Sequence, residues 1–426
     1  MPVDKAAGHA IIGGMNRSEL SPRIHDYLLS NMPTYLSLLE QMVGINSFSA
    51  NPAGVNTLGD LTAAVFAELS FTAERVPSTS PRFGNHLLLT RPGHSGRSIA
   101  LISHLDTVFS AEEEARNHFA WRVEGDRVYG PGTEDIKGGT VLIYMILAAL
   151  QAHLPEVFED VTWRVLLDAA EEADMHDFGD LCLQRLGPET LACLVFEGGR
   201  MTGHEFTLVG ARKGMAVYQV TVEGKGAHAG VAHPNGANAI VQMADVIQRI
   251  ASYTDYGRDL TFNVGVVAGG TVVNRVPHFA AANVEMRAFD TGVFEEGLAS
   301  MMALNDLVTV RSSNSGYPCK VTVELLRRTP PWPRNDGTND LLGLWREAAA
   351  ELGFKLATER RGGLSDGNQI WQRFPTLDGL GPSGENAHCS ERSADGSKDQ
   401  EYATISSFVP KALLNLMAVL KLIERG

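Results

Sequence analysis

Apolar residues follow two alternating patterns over the first half of the chain. From about residue 20 to 70 they recur at intervals of three and four, in IHDYLLSNMPTYLSLLEQMVGINSFS, which predicts helices. Short apolar runs then alternate with longer helical ones: NHLLLT, SIALISHLDTV, GTVLIYMILAALQAH, VTWRVLLDAAEE and LACLVFEGG. Strands that alternate with helices are typical of an α/β unit built on a mainly parallel, buried sheet.

The pattern changes near residue 211. GMAVYQVTVEG alternates apolar and polar residues, as a half-exposed strand does, and NAIVQMADVIQRIASY carries one apolar helical stripe. Two strands (TFNVGVVAGG, AAANVEMRAFD), a helix (FEEGLASMMALNDLV) and a strand (CKVTVELL) follow. The order β-α-β-β-α-β predicts a ferredoxin-like α+β domain over 212–326. This domain is inserted into the larger unit, which then comprises 1–211 and 327–426.

Composition narrows the class of protein. The 426 residues include 36 Lys plus Arg against 50 Asp plus Glu, a net charge of −14, so we expect no nucleic-acid or membrane partner. The four cysteines form no CxxC pair, which argues against a disulfide framework and a thiolate zinc site. The first 20 residues do not resemble a signal peptide, and runs such as VLIYMILAAL are too short to span a bilayer. We therefore predict a cytoplasmic protein.

Chemically active side chains follow several of the predicted strands. His104 and Asp106 end an apolar run at the carboxyl end of a strand, where open α/β sheets build their sites, although a capped strand end is an alternative. Asp135 stands in the glycine-rich GPGTEDIKGGT before a helix, so it could also be a helix N-cap. Three glutamates follow two further strands: Glu171, Glu172 and Glu197.

These carboxylates predict a metal site. Burying an ionised carboxylate costs several kcal/mol unless a cation is present, and no cluster of lysines or arginines of matching size lies nearby in the sequence. His388, in GENAHCSERS, adds a second imidazole. A set of nitrogen and oxygen ligands without a thiolate suits zinc, with manganese or cobalt as alternatives.

The order of these motifs resembles that of a known family. HxD, GxxDxKGG, EE, a strand-end glutamate and a C-terminal histidine follow one another as in peptidase family M20, the co-catalytic zinc amidases and exopeptidases. VFEGGR and the long insertion suggest its glutamate carboxypeptidase and acetylornithine deacetylase branch. The resemblance runs from about residue 35 to the end. It implies a zinc-exopeptidase-like three-layer α/β/α catalytic domain with an inserted lid and dimerisation domain.

The resemblance also implies roles at the metal site. Asp135 would bridge two divalent ions per subunit. His104 and Glu197 would complete one ion, and Glu172 and His388 the other. Asp106 would hydrogen-bond the far ring nitrogen of His104 and so orient the ring. Glu171 would be the general base.

Further matches imply residues that bind substrate. His228, in GKGAHAGVAHPNGANAI, would reach across a dimer to the scissile carbonyl, and Asn274, in GGTVVNRVP, would contact substrate. Arg287, in VEMRAFD, would grip a free carboxylate. Gly363 and Asp366, in GGLSDGN, would lie on the substrate side of the catalytic domain. Simpler interpretations stay open, because Arg287 could be a surface residue and His228 a turn residue.

The expected function is hydrolysis of the amide bond between an acyl group or residue and a C-terminal amino acid, an acidic one such as glutamate. Alternatives are an N-deacetylase of acetylornithine type, a dipeptidase, or a non-catalytic ligand-binding homologue, which would be expected to lack the base or a ligand. Glu197 argues against a ureido-hydrolase, since those relatives carry histidine there. The segment ADMHDFGD after Glu172 departs from the family pattern and puts substrate choice in doubt. We expect a homodimer formed through the inserted domain.

Overall fold

The computed structural model describes residues 17–174 and 176–425. The N-terminal segment considered above as a signal peptide falls, up to residue 16, outside the described residues. The helices are α1 (Arg17–Ser30), α2 (Met32–Val43), α3 (Pro52–Ala67), α4 (Ala111–Asn117), α5 (Lys137–His153), α6 (Pro155–Asp160), α7 (His176–Arg185), α8 (Ala239–Ser252), α9 (Thr291–Met302), α10 (Asp336–Glu351), α11 (Gly367–Ile370) and α12 (Ile405–Arg425).

The strands divide among one large sheet, the sheet of the insertion and several small ones. They are β1 (Thr72–Pro77), β2 (Asn85–Arg91), β3 (Ser98–His104), β4 (Arg122–Glu124), β5 (Arg127–Tyr129), β6 (Thr162–Asp168), β7 (Thr190–Val195), β8 (Arg200–Thr202), β9 (Glu205–Arg212), β10 (Gly214–Glu223), β11 (Ala227–His228), β12 (Thr261–Gly269), β13 (Arg275–Val276), β14 (Phe279–Ala288), β15 (Lys320–Thr329), β16 (Lys355–Arg361), β17 (Thr376–Leu377), β18 (Gly384–Glu385) and β19 (Tyr402–Thr404).

The chain forms two compact units. The first comprises residues up to Gly210, Arg334–Glu359 and the chain from Ser365, and the inserted unit comprises Ala211–Pro333 and Arg360–Leu364. The inserted unit extends past the predicted boundary at residue 326, because β15 continues to Thr329 in register with β10. Residues 360–364 join it because Arg212 Nη1 donates hydrogen bonds to the carbonyl oxygens of Gly363 (3.2 Å) and Leu364 (2.7 Å). Gly363 therefore belongs to the inserted unit, whereas the sequence had suggested the catalytic domain.

The first unit has the predicted three layers. Its large sheet has the order β1-β2-β6-β3-β7-β17, in which β6, β3, β7 and β17 are parallel. Every residue of β3 is buried. Successive β3 side chains point to opposite faces, so Ile99 and Leu101 pack in a core shared with α5 and α12, and Ala100 and Ile102 in one shared with α7 and α11. Helices thus cover both faces of the sheet.

Helix α12 combines the length and hydropathy of a membrane span with burial inside the first unit. Its most apolar 18-residue window has a mean hydropathy of 1.4, and 83% of that window is buried within the protein. Trp345 Nε1 of α10 donates a hydrogen bond to Asn415 Oδ1 of α12 at 2.8 Å. These contacts are those of a core helix.

The inserted unit confirms the predicted ferredoxin-like order. The elements β10, α8, β12, β14, α9 and β15 form an antiparallel sheet of order β12-β14-β10-β15 with two helices. Met243, Val246 and Ile250 recur at helical spacing along α8 and are buried against the sheet. Strand β12 is an edge strand, and Val266 and Val267 on it are more than half exposed.

Candidate metal centre

The carboxyl ends of three neighbouring strands supply most of the site. β3 ends at His104, which lies opposite Asp168, the last residue of parallel β6. Glu171 and Glu172 follow β6, and Glu197 comes two residues after β7. Parallel strands end at one edge of a sheet, so these side chains converge there. Glu171 is buried and α7 begins only at His176, so the glutamate pair is not a solvated first turn of a helix.

Two loops bring the other ligand candidates. Asp135 lies between β5 and α5, after a glycine-rich turn, and its peptide bond to Ile136 is cis. It does not cap α5, because the N-cap position is Ile136, whose side chain cannot accept a hydrogen bond from the helix terminus. His388 lies between β18 and β19 with a φ of 65°.

Asp135 stands between two pairs of side chains. Its Oδ1 lies 3.0 Å from His104 Nε2, which lies 3.7 Å from Glu197 Oε1. Its Oδ2 lies 3.3 Å from His388 Nε2, which lies 3.1 Å from Glu172 Oε1. Ligand atoms of His104, Asp135 and Glu172 all fall within 4.8 Å of one another. The structure thus brings together all five residues that the sequence predicted as ligands.

The electrostatics of the cluster call for positive charge. Burial raises the pKa of Glu171 well above its ordinary value, and the charges of Glu197 and Glu172 raise it further. Hydrogen bonds to Asp135 and Glu172 raise the pKa of His388 to about 11. Burial would lower the pKa of His104, but bonds to Asp106 and Asp135 raise it well above its usual value. Burial would raise the pKa of Asp135, but the two imidazoles hold it far below its usual range.

Each of these carboxyl groups is buried or lies beside other carboxyl groups, so their ionised forms need positive charge nearby. Divalent ions would meet that need, and two imidazoles with three carboxylates are a suitable donor set. The residues therefore fit a metal centre with two ions, and Asp135 offers one oxygen to each side.

Asp106 contacts both the ring of His104 and the backbone of the glutamate pair. His104 Nδ1 lies 3.0 Å from the backbone oxygen of Asp106 and 3.4 Å from its Oδ1, so the carbonyl is the nearer partner. The carboxylate of Asp106 accepts hydrogen bonds from the backbone N–H of Glu171 (3.0 Å) and of Glu172 (3.2 Å), and from the Ser49 hydroxyl (2.6 Å). The Asp106 side chain therefore orients the backbone of Glu171 and Glu172. The HxD spacing alone did not indicate this second role.

Comparison with known proteins identifies the family. A family model described as "Peptidase family M20/M25/M40" matches residues 100–413. The chain belongs to peptidase family M20. Like its family, it is a metal-dependent hydrolase of amide bonds.

Individual M20 relatives match over most of the chain. Carboxypeptidase G2 of Pseudomonas sp. (strain RS-16) is 30% identical over 387 residues, covering 89% of this chain and 87% of the relative. A tripeptidase structure from Staphylococcus aureus superposes with a TM-score of 0.72 at 20% identity, over 92% of this chain and 99% of that one. Bacillus subtilis YXEP, described as a dinuclear metal-binding M20 peptidase, gives a TM-score of 0.62 at 15% identity, over 94% and 99%.

The segment that departs from the M20 pattern is tied to a buried histidine. Asp177, in ADMHDFGD, lies 3.3 Å from His86 Nε2, and Asp168 lies 3.1 Å from His86 Nδ1. Burial would lower the pKa of His86, but the two carboxylates raise it to about 9. Asp177 also accepts a hydrogen bond from the Ser78 hydroxyl at 2.6 Å. Contacts of Asp177 with His86 and Ser78 therefore fix this segment, which follows the glutamate pair in the chain. No sequence motif indicated these contacts.

Asp366 is a buried residue of the first unit. Its side chain is 2% exposed, and burial together with the charge of Asp168 raises its pKa well above the ordinary value. Its backbone oxygen accepts a hydrogen bond from the Gln369 backbone N–H at 3.1 Å. Asp366 therefore lies in the interior of the first unit, where its charge interacts with those of Glu171 and His104.

His228 and Asn274 lie on adjoining segments of the inserted unit. His228 in β11 pairs with Arg275 in β13, and the Ala229 backbone N–H donates a hydrogen bond to the Asn274 carbonyl at 2.9 Å. His228 Nδ1 accepts backbone N–H bonds from Gly230 (3.1 Å) and Val231 (3.2 Å). Because an accepting nitrogen carries no proton, the neutral ring has its proton on Nε2, where it can be donated. The exposed His228 is thus both a turn residue and an oriented donor.

Arg287 is fixed by neighbours within the inserted unit. Its Nε and Nη2 contact the carboxylate of Glu285 at 2.7 and 3.2 Å, and its Nη1 donates to the Gly362 carbonyl at 2.8 Å. The side chain is about one-quarter exposed. Arg287 is therefore an oriented cation beside the exposed Gly362 and Gly363, rather than a loose surface residue.

Proposed function

We propose that the protein is a dinuclear hydrolase that releases a C-terminal amino acid from an N-acyl amino acid or a short peptide, as a glutamate carboxypeptidase does. One observation carries the proposal: the two carboxylate oxygens of Asp135 face two separate pairs of ligands at 3.0 and 3.3 Å. A bridging carboxylate with a histidine and a glutamate on each side suits two ions close together. Similarity to carboxypeptidase G2 supports the carboxypeptidase assignment.

Five side chains would hold the ions. His104 and Glu197 would hold one, Glu172 and His388 the other, and Asp135 would bind both. We propose zinc, with cobalt or manganese as alternatives, since the donors are nitrogen and oxygen only. When bound, the ions supply Lewis acidity to the attacking water and to the scissile carbonyl.

Glu171 would perform the proton transfers. It lies beside the ligand cluster in a buried position, and its backbone N–H is fixed by Asp106 at 3.0 Å. It would accept a proton from water during attack on the amide carbon and deliver that proton to the leaving amine. A carboxyl group whose pKa is raised by burial is suited to holding a proton between these two steps.

Residues of the inserted unit would recognise the substrate. Arg287 would bind the free carboxylate, Asn274 and Gly363 would contact the substrate, and His228 would donate to the scissile carbonyl. Lys213 and Arg360, which lie 5.4 and 4.5 Å from the ring of Phe289, add positive charge within the same unit. We therefore propose an acidic released residue such as glutamate.

We further propose a homodimer formed through the inserted unit. Edge strand β12 presents Val266 and Val267, and α8 presents Val241 with 54% of its surface exposed. An exposed edge strand with apolar side chains is typically covered by a partner. Light scattering should give twice the 46.0 kDa chain mass, and a monomer would argue against His228 acting in the twin subunit. We also propose a cytoplasmic location, which the free cysteines support.

The test is metal removal followed by a substrate panel. Protein stripped with a chelator should lose hydrolysis of N-benzoyl-glutamate and regain it with two equivalents of Zn²⁺, Co²⁺ or Mn²⁺. The panel pairs N-acetyl, N-benzoyl and dipeptidyl glutamate with the corresponding leucine compounds and with glutamate α-amides. Equal, negligible rates for stripped and loaded protein would refute the proposal. Strict preference for N-acetyl substrates would indicate a deacetylase instead.

A further inference from the structure

The side chain of Glu401 accepts hydrogen bonds from the backbone at Asp135, the proposed bridging ligand. Glu401 is fully buried immediately before β19. Its Oε1 accepts backbone N–H bonds from Glu134 at 2.9 Å and from Asp135 at 3.2 Å. These bonds fix the peptide groups on the N-terminal side of the Asp135 side chain, so they limit the direction in which that side chain can point.

The backbone of Glu401 contacts the other ligand loop. Its N–H donates to the Cys389 carbonyl at 2.8 Å, one residue after His388. Strand β19, which begins at Tyr402, pairs with β5, and the Asp135 loop leaves the end of β5. Glu401 is therefore placed where the loop of Asp135 and the loop of His388 are joined.

Burying this carboxyl group has a desolvation cost. Its Oε2 has no hydrogen-bond partner among the described residues. The buried Lys137 interacts electrostatically with Glu401, and its ammonium group donates a hydrogen bond to the Ile45 carbonyl at 3.0 Å. An apolar residue at position 401 would leave the two backbone N–H groups without this acceptor, so the two bonds made by Oε1 are the specific contribution of the side chain.

We propose that Glu401 is a positioning residue that sets the metal affinity of the centre by holding the Asp135 backbone. The proposal rests on the metal site proposed above. Because Asp135 would bind both ions, loss of this hold would weaken both, and supporting residues of this kind typically contribute about 10- to 100-fold in affinity.

The inserted unit offers a matched control. Gln242 is also fully buried, and its Oε1 accepts backbone N–H bonds from Thr309 (2.8 Å) and Val310 (3.0 Å), which is the same arrangement without a metal ligand. Gln242→Ala should destabilise its own unit and leave metal affinity within about twofold of the unmodified protein. This variant measures separately how metal affinity responds to the loss of a buried oxygen that accepts two backbone hydrogen bonds.

The experiment measures Zn²⁺ affinity and stoichiometry by competition with a chromophoric chelator, with folding checked by circular dichroism. Glu401→Ala should weaken affinity about 10- to 100-fold, whereas Glu401→Gln, which keeps the accepting oxygen, should restore it to within about threefold. If Glu401→Ala does not fold, Glu401→Asp replaces it, because its shorter side chain cannot reach both N–H groups and should also lose about tenfold.

Each outcome is informative. Affinity of Glu401→Ala, or of Glu401→Asp in its place, equal to that of Gln242→Ala would overturn the inference and leave the proposed function intact. Absence of Zn²⁺ binding by the unmodified protein would instead overturn the proposed metal centre itself.

Discussion

The metal cluster and the substrate-binding candidates are held in different ways. Three ligands of the first unit follow buried parallel strands, and the backbone N–H groups of Glu172 and Asp135 donate to the carboxyl groups of Asp106 and Glu401. His228 and Asn274 lie on exposed segments, where the His228 ring accepts backbone bonds from Gly230 and Val231 and the Asn274 carbonyl accepts one from Ala229. The ligand candidates are therefore supported by long-range contacts, whereas the proposed recognition residues are oriented by turns and by short contacts such as that of Arg287 with Glu285.

The largest expected effect lies at the metal cluster. Glu171→Gln keeps the size of the side chain but cannot accept a proton, so kcat should fall by about 100- to 10,000-fold. Metal content should be unchanged, because Glu171 is not among the proposed ligands. Steady-state kinetics and elemental analysis of the same preparation check this, and a variant with near-normal kcat would remove Glu171 as the base.

The second prediction concerns the dependence of the free energy of unfolding on the protonation of the buried His86. Because its carboxylate partners raise the folded-state pKa of His86 to about 9, His86 contributes stability that is fully present below about pH 6.5 and is lost as the pH rises through 9. The loss should be roughly 3 kcal/mol at most, and His86→Gln should lack it.

Urea unfolding from pH 6 to pH 10 measures this difference. Parallel profiles for both proteins would contradict it. In that case His86 is neutral and Nδ1 accepts the Ala169 backbone N–H, which lies 3.2 Å away.

The third prediction concerns the oriented cation of the inserted unit. Arg287→Ala should lower kcat/KM by about 10- to 100-fold, mainly through KM, because charge-assisted bonds to the substrate carboxylate are lost. Arg328→Ala is the control, since Arg328 is also paired with a glutamate in the same unit, on β15. Equal, small effects of both variants would show that Arg287 does not bind substrate.

The smallest effect tests the partner of that cation. Glu285→Gln keeps a hydrogen-bond acceptor for Arg287 but removes a negative charge that competes with the substrate carboxylate. KM should fall about threefold at low salt, and less at high salt, where the charge is screened. A rise in KM would mean that Glu285 is needed to orient the guanidinium.

Sequence patterns predicted the elements with a strong apolar signal. The fully buried β3 was visible as an unbroken apolar run, and β10 as a clean alternation. Strands β1 and β16 were not predicted, because half of TAERVP and most of KLATERR is polar and both strands lie at the edges of their sheets. Short edge strands are held by backbone bonds to a neighbour, which leave little trace in side-chain hydropathy.

The ligand cluster was predictable because each ligand stands at a fixed distance from a strand end or within a motif. Glu401, Ser49 and His86 were missed, since their contacts join residues far apart in sequence through ordinary polar side chains. Glu401, for example, meets Asp135 across 266 positions. The place of Gly363 was missed for a similar reason, because the bonds from Arg212 that hold its loop are not encoded locally.

The parallel pairing of β3 with β6 sets His104 opposite Asp168. The position of His104 in the cluster therefore depends on the register of β3. Adding one residue inside β3 would turn its following side chains to the opposite helical layer, and the imidazole would leave the cluster. Residues added to the loop after Glu172 would leave that register unchanged. The spacing of residues within these strands is therefore under a stricter geometric constraint than the length of that loop.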